Sequence, residues 1–93
     1  MDIHIQDISF EKLPKEAGQP QMYKVTVRGS FPTDIAALTP LRKVPGVTSA
    51  ARPAHSGEYN LRMEKQEGMG WQRRTRTAIK QAFLEAYPTY KVR

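Results

Sequence analysis

Residues 23–28 read Tyr-Lys-Val-Thr-Val-Arg, apolar and polar by strict turns. A period of two belongs to a strand with one face buried and the other in water. A helix repeats every 3.6 residues and would scatter Tyr23, Val25 and Val27 around its axis. This run therefore commits the chain to a sheet with a covered face and an open face. The segment before it, IHIQDISFEKL at 3–13, also alternates, but its phase slips between Ile5 and Ile8. One extra residue at such a point marks a bulge. KEAGQP at 15–20 separates the two runs with Gly18 and Pro20, so together they predict a hairpin.

Near the C-terminus the period changes. From Trp71 to Tyr87, stopped by Pro88, the spacing predicts a helix. At 100° per residue Trp71, Thr75, Ala78, Ile79, Ala82, Phe83 and Ala86 share one side. Arg73, Arg76, Lys80 and Tyr87 fall opposite, with Arg74 and Gln81 flanking. Between the hairpin and this helix, FPTDIAALTPLRKVPGV predicts a helix with Thr33 as N-cap, Asp34 in the first turn and Ile35, Leu38 and Leu41 buried. Pro40 requires a kink there, or a restart with Thr39 as cap. VTSAARPA at 47–54 reads as a weak strand that lies at a sheet edge or ends at Pro53, and HSG at 55–57 as a turn. EYNLRMEK reads as a strand with Tyr59, Leu61 and Met63 inward, and YKVR as a short last strand.

From residue 22 onward the order is strand, helix, strand, strand, helix, strand. That order predicts an α+β fold of ferredoxin-like type: one antiparallel sheet, two helices on one face, and an extra N-terminal strand. The 93 residues form a single domain. Lys24, Arg28, Asn60 and Arg62 are placed on the open sheet face.

Charge narrows the range of partners. The chain carries a formal +6, and its excess lies after residue 20: residues 1–20 sum to −2, residues 21–63 to +4 and residues 64–93 to +4. Such a surface attracts phosphate-rich or acidic partners. There is no cysteine, which excludes disulfides, thiolate metal sites and a cysteine nucleophile. MDIHIQDISF is no signal peptide, and no apolar run approaches the ~20 residues of a membrane span. The expectation is a soluble cytoplasmic protein.

Catalytic signatures are weak. His4 and His55 stand apart in sequence without clustered carboxylates, so neither metal nor cofactor is expected. VRGSFPTD at 27–34 offers Gly29 but lacks the arginine-bearing glycine-rich loop of acylphosphatase. The strand YNLRM turns Asn60 and Arg62 outward and Tyr59 inward, unlike the base-stacking face of RNA-recognition domains. EGMGWQRRTR is more informative. Two glycines precede a helix start, where convergent N–H groups favour an anion, and three arginines follow where the helix dipole disfavours cations. Either Glu64 or Glu67 compensates these arginines, or phosphates of a partner do.

A short, basic, cysteine-free chain with no catalytic set, carrying MDIHIQDISF and EGMGWQRRTR, resembles phage-encoded anti-CRISPR proteins, in particular the type I-F inhibitor class. The resemblance implies a partner that is a CRISPR ribonucleoprotein, Cas subunits with guide RNA, and occlusion of the guide so that target DNA cannot hybridise. The residues implied to hold nucleic-acid backbone are Arg73, Arg74, Arg76 and Lys80, with Lys24, Arg28 and Arg62 as a second patch. The competing expectation is a ferredoxin-like regulatory or assembly module acting through protein contacts. No membrane and no small-molecule substrate is implied.

Overall fold

A computed structural model describes residues 2–53 and 57–93. The elements in chain order are β1 (Asp2–Lys12), β2 (Met22–Ser30), α1 (Leu38–Arg42), β3 (Val47–Ala51), β4 (Glu58–Glu64), α2 (Trp71–Ala86) and β5 (Lys91–Val92). The five strands form one curled, half-barrel sheet in the order β3-β4-β2-β1-β5. All neighbours run antiparallel except β1 and β5, which are parallel.

The hairpin is the long pair β1–β2. Its register shifts between Ile5 and Asp7, where the sequence changes phase. The bulge lets Ile3 and Ile8, five residues apart, both face the core. Gly29 lies opposite this irregularity, and a Cβ there would stand 1.9 Å from the carbonyl oxygen of His4. Gly29 therefore serves close strand approach.

The N-terminal strand is not appended at the outside of the sheet. It lies between β2 and β5, so the β4–α2–β5 crossover steps over two strands rather than one. Reciprocal bonds tie β5 to β1: the Ile5 N–H donates to the Arg93 carbonyl at 2.6 Å and the Arg93 N–H to the Ile3 carbonyl at 2.8 Å. Alternation specifies faces, whereas strand neighbours depend on long-range pairing.

The first helix is much shorter than predicted. Asp34 Oδ1 accepts the Ala36 N–H at 3.0 Å, an Asx turn that diverts the backbone before any helix forms. Thr33 does not cap α1, and Ile35 is 59% exposed rather than buried. Pro40 is accommodated without a kink because it occupies the first turn, where its missing N–H has no helical partner to lose. Gly46, with φ 87°, then turns the chain into β3. The turn expected at His55-Ser56-Gly57 lies, but for Gly57, outside the described residues.

The core is one layer between the sheet and α2. Val25, Val27, Tyr59, Met63, Ile79 and Phe83 are fully buried. Trp71 meets Phe10 and Tyr23 edge-on, with ring centroids 5.6 and 5.1 Å apart. Tyr87, expected on the solvent side of α2, is buried instead. The helix ends at Ala86, and Tyr87 at φ −131° has left the helical phase.

Candidate functional site

α2 begins without conventional capping. Gly70 is the N-cap in a left-handed conformation, no side chain caps the helix, and no acidic residue lies in its first turn. Among the described residues no carboxylate reaches Arg73, Arg74, Arg76 or Lys80 within ion-pair distance. Two of the four cations use backbone carbonyls instead. Arg74 donates to the Glu67 carbonyl at 2.6 Å and the Met69 carbonyl at 2.8 Å. Glu67 thus answers Arg74 with its peptide oxygen rather than its carboxylate. Arg76, half-buried, donates to the Ile8 carbonyl at 3.4 Å and lies 4.9 Å above the Phe10 ring. It covers β1 on its outer edge.

Arg73 and Lys80 remain. Both are exposed, and neither has an ion-pair partner among the described residues. Seven residues apart, they stand two turns apart on the same side of the helix, about 10 Å along its axis. Thr77 lies between them, and residues 68–84 contain no Asp or Glu.

The second predicted patch lies elsewhere. α2 packs on the sheet face that carries Tyr23, Val25, Tyr59 and Leu61. Lys24, Arg28 and Arg62 alternate with these and project from the opposite face. The two basic sets therefore do not converge. Arg28 is also balanced by carboxylates, with Nε 3.3 Å from Glu58 and Nη1 3.9 Å from Asp7. Lys24 and Arg62 are cross-strand neighbours, followed along the row by Glu11 on β1.

A polar cluster that sequence reading missed closes the other end of α2. Arg52 donates to the carbonyls of Pro32 and Asp34 and to the Tyr59 hydroxyl, and stacks 5.1 Å from the Tyr59 ring. The Tyr87 hydroxyl donates to the Asp34 carboxylate. An arginine beside a proline in a weak strand gave no sign of this role; the tyrosine–aspartate pair spans 53 residues. Bonds from Tyr87, then Ala36, and the nearby Arg52 charge hold the Asp34 carboxyl below its usual range. Burial, and then the Asp34 contact, push the Tyr87 phenol up. A lowered carboxyl value means stability is fully present above about pH 4 and is lost as pH falls through the folded-state value. Urea unfolding followed down to about pH 2 should show that loss, and Asp34→Asn should remove part of the slope. An acid limb identical in the two proteins would contradict this assignment.

Among the described residues no group of three or more His, Cys, Asp or Glu is placed to hold a metal ion. His55 lies outside them. No helix among the described residues is long and apolar enough to cross a membrane. Comparison with protein-family models, with curated proteins and with solved structures finds no match for this chain.

Proposed function

We propose that this chain is a non-catalytic binding protein whose α2 face holds nucleic-acid backbone. We further propose that it acts as an anti-CRISPR inhibitor that binds a type I-F guide-RNA-loaded surveillance complex and blocks target hybridisation. One observation carries the reading: Arg73 and Lys80 are presented on a rigid helix, in an acid-free stretch, with no internal carboxylate partner among the described residues. Exposed cations of that kind suit phosphate contact, which needs charge and reach rather than aromatic stacking. Base pairing reads the target in guide-loaded complexes, so covering the guide inhibits without any reaction. Arg74 and Arg76 support the surface indirectly, by fixing the loop before α2 and by seating α2 on β1.

A second reading has its own support. We read the β2–α1–β3–β4 portion as a variant of the ferredoxin-like split unit; the spatial order β3-β4-β2 supports this, although β1 is interposed before β5. Together with the fully exposed Met69, this favours an assembly module working through protein contacts. Affinity capture from cells carrying a type I-F system, with and without nuclease, separates the two. The first reading expects guide RNA and Cas subunits to be recovered, with recovery weakened as salt is raised. Recovery of protein partners alone, insensitive to both nuclease and salt, would overturn it.

A further inference from the structure

We infer that the Met69 loop and the cleft beside it form a self-complementary interface between two copies of this chain. Met69 is 97% exposed. It sits between Gly68 at φ 90° and Gly70 at φ 74°, a left-handed pair of turns that only glycine adopts without strain. Arg74 reaches back over both glycines and binds the carbonyls of Glu67 and Met69. The apolar side chain is therefore held out on a fixed loop. The loop backbone is ordered before binding, so ordering on association is confined to the methionine side chain.

The hole lies next to the knob. An open cleft of about 490 Å³ is walled by Val44, Pro45, Trp71 and Ala78, with Glu67 and Arg74 at its rim. Gln66 and Thr75 also line it, and the Arg74 guanidinium is held by the Glu67 and Met69 carbonyls. A two-fold interface needs both complementary shapes on one surface, because each copy presents the same patch to the other. Here the knob, the hole and rim charges of both signs share one surface. A two-fold axis between them seats each Met69 in the other copy's cleft and turns each Glu67 toward cations of its partner. Each copy contributes one knob and one hole, so the association is expected to be weak and reversible. It does not depend on any nucleic-acid contact.

Sedimentation equilibrium of the full chain from about 1 to 500 µM should show a monomer–dimer equilibrium. Met69→Asp, which spoils the knob, and Ala78→Glu, which blocks the hole, should each weaken it at least about tenfold. Far-UV circular dichroism establishes that both variants fold. Ile35→Ser, at the opposite end of α2, should leave association unchanged. Mixing the two damaged variants is the decisive measurement. A heterodimer retains one intact knob-in-hole contact, whereas each homodimer retains none, so the mixture should associate more tightly than either variant alone. A wild-type chain that stays monomeric throughout the range overturns the inference. So does a dimer indifferent to Met69→Asp, or a mixture no tighter than its components.

Discussion

Charge reversal at Arg73 and Lys80 together is expected to weaken binding to a guide-loaded complex by about 100-fold or more at moderate salt. The two are the clean probes of the α2 face because neither side chain has an ion-pair partner among the described residues. Arg73 and Lys80 are exposed on the helix surface, so reversing them leaves the core intact. The signature extends beyond lost affinity. Each phosphate contact contributes roughly one unit to the slope of log K against log salt, so the double variant should lose about two units of slope. Arg74→Ala and Arg76→Ala should also reduce binding, but less informatively, since one releases the Glu67–Met69 loop and the other uncovers Ile8 and Phe10. Lys24→Glu/Arg62→Glu provides the contrast. Those residues project from the far face of the sheet, so a partner seated on α2 should bind that variant within about threefold of wild type. A double variant at Arg73 and Lys80 that binds like wild type, with unchanged slope, would remove the α2 face from the proposal. An equal loss from Lys24→Glu/Arg62→Glu would mean a partner that wraps both sides.

The unequal availability of these cations also marks how far a sequence can be read. Period two located β2 and β4, the phase slip located the bulge, and period 3.6 located α2 and its buried side, because each pattern is imposed locally by burial on one face. The same patterns say nothing about which strand neighbours which, so the interposition of β1 between β2 and β5 was out of reach. They also treat a charged residue as either outward or inward. Arg76 is both: its stem packs, its guanidinium covers Phe10, and one N–H reaches a strand carbonyl 68 residues away. Arg74 illustrates a second blind spot. Residue type points to carboxylates as the local compensation of a basic helix start, yet peptide carbonyls of a glycine-rich loop serve as well for Arg74 and leave no trace in residue type. The long helix expected from Thr33 failed for a related reason. Asp34 favours helix starts and Asx turns alike, and its contact with Tyr87 belongs to tertiary structure.

Phe83→Ala is expected to cost about 3–5 kcal/mol of stability, a large share of the roughly 5–15 kcal/mol available to a domain of this size. Phe83 is fully buried. It stacks on Phe31 at 4.9 Å with planes 14° apart and meets Tyr59 edge-on at 5.3 Å. Phe31 and Tyr59 meet each other at 5.1 Å, so truncating Phe83 opens one corner of a closed triangle of rings. Arg52 lies 5.9 Å from the Phe31 ring and 5.1 Å from Tyr59, which couples the aromatic triangle to the polar cluster that includes Asp34 and Tyr87. α2 has little stabilisation of its own: a glycine N-cap, no side-chain cap and no acid in its first turn. Short helices of this kind persist through tertiary packing. Loss of Phe83 should therefore lower helicity at 222 nm as well as the urea midpoint, and with them the presentation of Arg73 and Lys80. Phe83→Leu keeps most of the volume and should cost less than half as much. If Phe83→Ala unfolds at the wild-type urea concentration, α2 is not held by this cluster. If it unfolds early but the residual folded fraction binds a guide-loaded complex with wild-type affinity and salt slope, the core supports the interface only by keeping α2 folded. That second outcome is the one the geometry predicts, because no core ring reaches the exposed side of the helix.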